Sequence, residues 1–437
     1  MFKRIAPGLF MREPRPVAGA ASVVEPAAAP AVFPSLSELP RLLAAAPHRL
    51  MFFAGAAAVL LSMSWWTCYL VAAYTGRHFP AAPLPAGWAH AILTQYGMLS
   101  FFIFGFLLTV FPRWLAQQAL SKRHYVPVFA GLFGGYLLAH AGLLDRKPLL
   151  QAGLLLMLTG WSIGVMTLAR VLARSGWRDS HALLCFFALL LGAAGLAAFT
   201  AFAFGASWYF AFAAIKIGTF GLLLPIYLCV CHRMVPFFSA NVVGADYRTF
   251  KPAWSLLLLA TLSVAHLGLE LTHRFDLLWL ADVPMTIVLL GHWLAWQPWK
   301  CMQPGLLAVL YAAFLWLPVA FALFAVQSLV LDFNGAFVLG RAPVHALTVG
   351  YFGSMLVAMV TRVTHGHSGR PLQMGRIAWL TFALLQLVAL TRVFAEVATN
   401  SAPWIVLAAG GWLIAFTPWV ARSLWIYLAP RRDGLPG

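Results

Sequence analysis

Two histidines are placed where an imidazole can do coordination chemistry. His90 opens one apolar run, and His345 falls in the first turn of another, two residues after Pro343, a residue that can start a helix. Neutral imidazole is the commonest metal ligand and a standard axial ligand to haem iron. Two helices at equal depth, each with a histidine at the same end, can grip one haem from both sides, or each can serve a separate metal. A histidine at a helix end can also simply meet water or head groups. Arg341, just outside His345, is grouped with the pair as a cofactor-binding side chain.

A second set can move protons. Lys216 stands alone inside an apolar run. His266 and Glu270 are four residues apart and share a helix face, and Asp282 lies early in the following run. Lys216, Glu270 and Asp282 are the candidate catalytic proton donors; the structural alternative is a buried ion pair. His266 and His140 are candidates for a second metal such as copper, which accepts imidazole, against a plain buried His–carboxylate contact. Cys229-Val230-Cys231-His232 looks metal-like, but it is not the C-x-x-C-H spacing that attaches c-type haem. His365-Gly366-His367 reads as a short basic turn that can take a metal or an anion, or simply flank the membrane.

The elements that must carry these residues follow from composition. The chain has 437 residues, 62% hydrophobic and 9% charged, where a soluble domain has about 25% charged. Apolar runs fall at 50–74, 90–111, 126–144, 149–173, 181–204, 208–231, 252–272, 276–298, 305–330, 343–362, 375–398 and 403–428. Each is near the ~20 residues that cross a bilayer. The expectation is an all-α polytopic membrane protein, a bundle of about 12 transmembrane helices. The formal charge of +17 sits in short loops, which points to topology and anionic lipid rather than nucleic acid. With the N-terminus inside, 22 of the 29 Lys and Arg fall on inside segments and six outside, Lys216 being the remaining one. Both termini are therefore expected in the cytoplasm.

Residues 1–47 are rich in Ala and Pro and read as a disordered cytoplasmic tail with a short surface helix over 36–46; 48–430 form the bundle, and 431–437 a C-terminal tail. No cleavable signal peptide is evident. Five cysteines without paired spacing argue against a disulfide framework. No P-loop, dinucleotide fingerprint, zincin motif or nucleophile elbow stands in the loops.

On this map the polar residues segregate by depth. His90, His140, Lys216, His266, Glu270, Asp282, His345 and Glu396 all lie in the outer half, with His292 the main inner exception. Ionisable groups in a membrane are costly and are functional candidates by default. The competing class is a secondary transporter of two six-helix repeats, which places broken helices and polar sites at the midplane. Here the cluster is off-centre and the helices read as mostly intact, with Pro225 and Pro318 as kink positions.

Four stretches together resemble the NnrS family: HAILTQYGMLSFFIFGFLLTVFPRW from His90, KIGTFGLLLPIYLCVCHRMVPFFSA from Lys216, ADVP from Ala281, and GRAPVHALTVGYFGSMLVAMVTRVTHGHSGRP from Gly340. The likeness runs from about residue 50 to the C-terminus. Some relatives carry His-x-His at the first of these; here Ile92 takes the second position and only His90 remains. The resemblance implies a multi-pass protein of the bacterial inner membrane, linked to nitric oxide resistance in denitrifying and related bacteria, with haem b and copper as cofactors. It points to binding and consumption of nitric oxide, with quinol as electron donor and protons from the outer side. A metal- or haem-handling membrane protein without redox turnover, and a non-catalytic sensor, are the alternatives. A looser analogy links the chain to haem–copper oxidase subunits, with haem ligands on helices two and ten; it fails at copper, where only Lys216 and His266 occupy the corresponding helices.

Overall fold

The structure, a computed structural model, describes residues 35–433; most of the expected N-terminal tail (1–34) and residues 434–437 lie outside it. A short helix covers Leu39–Leu43. Beyond it, the described residues contain twelve helices long and apolar enough to span a membrane. They are α1 Pro47–Thr75, α2 Ala86–Trp114, α3 Lys122–Gly142, α4 Lys147–Arg174, α5 Ser180–Ala203, α6 Trp208–Asp246, α7 Ala253–Leu271, α8 Phe275–Lys300, α9 Gly305–Asn334, α10 Ala342–His367, α11 Arg376–Phe394 and α12 Ala402–Leu428. No strand occurs among the described residues. In lipid the backbone must satisfy its own hydrogen bonds, so an all-helical bundle is what this composition can build. Glycines at positive φ stop two of the longest helices, Gly76 after α1 and Gly335 after α9.

An even number of crossings returns the chain to its starting face. Arg49 of α1 confirms the closure: its Nε donates to the Tyr427 carbonyl at 2.7 Å, and its Nη2 donates to the Ala429 carbonyl. The face bearing Pro47 and Leu428 is called the terminal face below, and the face bearing His90 and His345 the site face.

Three helices form the inside of the bundle. The most apolar stretches of α2, α6 and α10 are 83%, 72% and 72% buried in protein, against 61% or less in every other span. The same three share a local defect. A π-helical segment interrupts α2 at Leu93–Leu99, α6 at Ile217–Leu223 and α10 at Ala346–Gly353. The defects recur every fourth helix, and each begins within a turn of one of the polar residues singled out above: His90, Lys216 and His345. The expectation of mostly intact helices therefore changes, because no proline marks the defects in α2 and α10.

Their causes are local. In α2, Ser100 Oγ donates to the Gln95 carbonyl five residues back at 2.7 Å. In α6, Pro225 lacks the N–H that would continue the ladder just below the wide turn. In each segment a glycine makes room for a neighbour's side chain: a Cβ on Gly97 would meet the Tyr136 ring, one on Gly218 would meet Gln95, and one on Gly350 would meet Trp316. A π turn re-aims the residues above it relative to those below and is frequent at functional sites. Cross-links tie the inner helices together: Gln95 Nε2 to Thr219 Oγ1 at 2.8 Å, Tyr96 Oη to the Ala214 carbonyl at 2.6 Å, and Cys231 Sγ to Tyr351 Oη at 3.4 Å. Deeper, α2, α6 and α10 surround an apolar cavity of about 70 Å³ lined by Phe102, Phe106, Tyr227, Cys231, Met355 and Met359.

Candidate functional site

His345 is fixed from behind by a chain of contacts. Its Nδ1–H donates to the Arg341 carbonyl at 2.8 Å, since a carbonyl can only accept. The lone pair of the neutral ring is then on Nε2. Arg341 N–H donates to Glu396 Oε2 at 3.0 Å, and Glu396 Oε1 pairs with Arg392 Nη1 at 2.6 Å. The loop before α10 is held by Gln327, whose Nε2 donates to the Val338 and Gly340 carbonyls. A backbone carbonyl that orients a ligating histidine through its other nitrogen is the usual support in metal sites.

His90 comes from α2 and stacks flat on Trp66 of α1, with ring centroids 4.5 Å apart and planes 11° apart. Its Nδ1 is buried and has no hydrogen-bond partner. His90 and His345 lie at the same end of α2 and α10, each just before a π segment. The Arg392–Glu396 ion pair spans one turn at the end of α11 and is largely buried. Two imidazoles at the same end of separate helices, one with its tautomer set, are a donor set that would suit a haem iron.

The second set of residues is brought together by α6, α7 and α8. Lys216 Nζ lies 2.8 Å from Glu270 Oε2; Glu270 Oε1 lies 3.7 Å from His266 Nε2; and His266 Nδ1–H donates to Asp282 Oδ1 at 2.6 Å. The side chains are 25% exposed at Lys216, 2% at Glu270 and 0% at His266 and Asp282. The row thus runs from a partly exposed end to a buried end. Phe220, Phe321 and Phe324 wall His266, and Phe220 belongs to the π segment below Lys216. Glu270 Oε2 is taken up by Lys216, while His266 Nε2 and Asp282 Oδ2 are buried without hydrogen-bond partners among the described residues.

Copper fits less well. The row offers one imidazole and two carboxylates with an ammonium alongside, and no group of three His, Cys, Asp or Glu is arranged to hold a metal among the described residues. Imidazole- or thiolate-rich sets are what copper selects. His140 stacks on Tyr136, with ring centroids 4.8 Å apart, and both its nitrogens lack hydrogen-bond partners. No contact joins it to His266.

A second row, missed in the sequence, lies toward the terminal face. His181 Nε2 is 3.1 Å from His232 Nδ1, and Ser255 Oγ sits between His232 Nε2 at 3.2 Å and His292 Nε2 at 3.0 Å. His292 Nδ1 is 2.9 Å from the Val288 carbonyl and donates to it. With neutral rings this gives one direction of donation, His181 to His232 to Ser255 to His292, with the Pro252 carbonyl competing for the Ser255 proton. Cys229 Sγ donates to the His181 carbonyl, so the Cys229–His232 stretch is part of this packing. The signal available was the inner position of His292 together with His232; His181 and Ser255, on other helices, gave none. His365 and His367 are helical to the end of α10 rather than in a turn, and His367 packs against His48 of α1, with centroids 4.1 Å apart.

A family model described as NnrS protein matches residues 42–431, nearly the whole chain. No curated protein matches it at a significant level.

Proposed function

Since the chain belongs to the NnrS family of membrane proteins associated with the nitric oxide response, we propose that it is a haem-dependent inner-membrane protein that binds and consumes nitric oxide. The reading is of a quinol-linked oxidoreductase resembling nitric oxide reductase, taking protons from the site face. The observation that carries it is His345, its Nδ1 held by the Arg341 carbonyl and its Nε2 left free, with His90 at the same face on α2.

When bound, haem supplies an iron that takes nitric oxide and passes electrons. The chain's own residues do the rest. His90 and His345 are the residues that would hold the haem, and Trp66 stacks on the His90 ring and fixes its orientation. Nitric oxide is small and apolar and reaches the bundle through lipid. Joining two molecules of it as N2O and water takes two protons and two electrons. Lys216 is the partly exposed entry for the protons, Glu270 accepts from it, and His266, oriented by Asp282, is the buried end of the row. General acid–base groups of this kind contribute about 10²–10⁴-fold.

The transporter alternative is weakened by the helix defects, which recur every fourth helix rather than every sixth. The test is nitric oxide removal by purified protein in proteoliposomes with a reduced quinol. Quinol-dependent loss of nitric oxide with N2O formed supports the proposal. Haem-loaded protein that binds nitric oxide without removing it contradicts turnover and leaves the carrier reading.

A further inference from the structure

A different set of residues gathers at the terminal face, where α1, α10 and α12 meet. Arg370 lies in the turn after α10 and is only 8% exposed. Its N–H donates to the His365 carbonyl, and its guanidinium lies 5.3 Å from the Trp425 ring. Its Nη1 is buried and has no hydrogen-bond partner among the described residues. The charges acting on it are all of its own sign: Arg432, Arg422 and Arg49. Arg49 is committed to two carbonyls at the end of α12, while Arg431 holds the nearby Asp433 carboxylate in a two-point pair.

A buried, unpaired charge is among the costliest features a fold can carry. Burial first, then the three neighbouring arginines, lower the Arg370 pKa to about 10. It therefore stays protonated at neutral pH and cannot relieve the cost by losing its proton. The turn is also held in place rather than loose: Arg432 N–H donates to the Ser368 carbonyl at 3.1 Å, and Gly369, at φ 66°, leaves room for the Asp433 carboxylate. The one carboxylate beside this turn, Asp433, is held by Arg431, which leaves the Arg370 guanidinium with a donor that has no hydrogen-bond partner among the described residues.

We propose that Arg370, with Arg422 and Arg432, forms a binding site for a phosphate-bearing anion at the terminal face. The fork of a guanidinium matches two phosphate oxygens. The source is either the head group of an anionic lipid, since basic pockets between helices at the cytoplasmic side are suited to these, or free phosphate.

Full-length protein is purified as wild type, Arg370→Gln, Arg432→Gln and, as a control on the opposite face, Arg77→Gln. Native mass spectrometry measures binding of cardiolipin against phosphatidylcholine, and thermal unfolding measures the effect of inorganic phosphate. Arg370→Gln should weaken cardiolipin or phosphate binding by about tenfold or more, from the loss of a charged hydrogen bond. Arg432 is exposed and anchored through its backbone, so Arg432→Gln should fold normally and weaken binding less, while Arg77→Gln should bind like wild type. Cardiolipin preferred over phosphatidylcholine with no response to phosphate identifies a head group; an Arg370-dependent response to phosphate without lipid preference identifies the free ion. Cardiolipin and phosphate both bound equally by wild type, Arg370→Gln and Arg432→Gln, or by none of them, overturns the proposal.

Discussion

Lys216 and Glu270 form one ion pair, but removing either partner should not cost the same. Lys216→Met leaves the Glu270 carboxylate 2% exposed, with His266 Nε2 3.7 Å away. Orphaning a buried charge of this kind costs about 3–5 kcal/mol. Glu270→Gln leaves an ammonium whose side chain is already 25% exposed. A four-carbon stem can turn that ammonium toward head groups or water, so the cost should fall to about 1–2 kcal/mol, between the surface and buried regimes. The double variant removes both charges and should be less destabilised than Lys216→Met alone, with a coupling of about 1–3 kcal/mol. Equilibrium unfolding of the four proteins in mixed micelles reads all three quantities. Equal losses in the two single variants, or a double variant that shows the simple sum, would refute the picture of a row that is partly exposed at Lys216 and buried beyond it.

Two other perturbations probe the frame around the site. In the α3–α4 hairpin, a Cβ on Gly135 would meet the Met157 nitrogen at 2.5 Å and the Gly153 oxygen at 2.6 Å. Backbone cannot move aside as a side chain can, so Gly135→Ala should destabilise by about 1–3 kcal/mol, seen as a lower unfolding midpoint in the same assay. At the loop before α5, Asp179 accepts from Arg233 Nη1 at 2.8 Å and from the Ala182 N–H at 2.9 Å. Burial raises its pKa, but the Arg233 bond, the Ala182 bond and the Arg233 charge together outweigh burial and leave it below the ordinary value. A depressed carboxylate contributes stability above its unfolded pKa of about 3.9 and loses it as pH falls through the folded value. The stability gap between wild type and Asp179→Asn should thus be constant above about pH 5 and close on further acidification; a gap that widens toward low pH contradicts the assignment.

The twelve spans were legible because hydrophobic length alone identifies them. So was the depth of the polar residues, which is a matter of counting from each helix end, and the His266–Glu270 contact, which follows from spacing within one helix. What counting cannot provide is rotation. These helices are apolar nearly all round, so no polar face says which way a side chain points. That is why the Asp282 bond to His266, the Arg392–Glu396 support behind His345 and the His181–His232–Ser255–His292 row required the packed bundle. The π segments were hidden for a related reason: their causes lie in Ser100 bonding five residues back and in glycines that admit Tyr136, Gln95 and Trp316 from neighbouring helices. The extension of α10 through His367 belongs with these, because Ser368 N–H donates to the Thr364 carbonyl and carries the helix past Gly366.

The most direct test is the optical spectrum and iron content of the purified protein, as wild type, His90→Ala and His345→Ala, reduced and then exposed to nitric oxide. Wild type should show a Soret band with stoichiometric iron that shifts when nitric oxide binds, and each variant should lose or alter that band while still folding. Wild type without a Soret band or iron, or two variants whose spectra match wild type, would contradict haem ligation by His90 and His345.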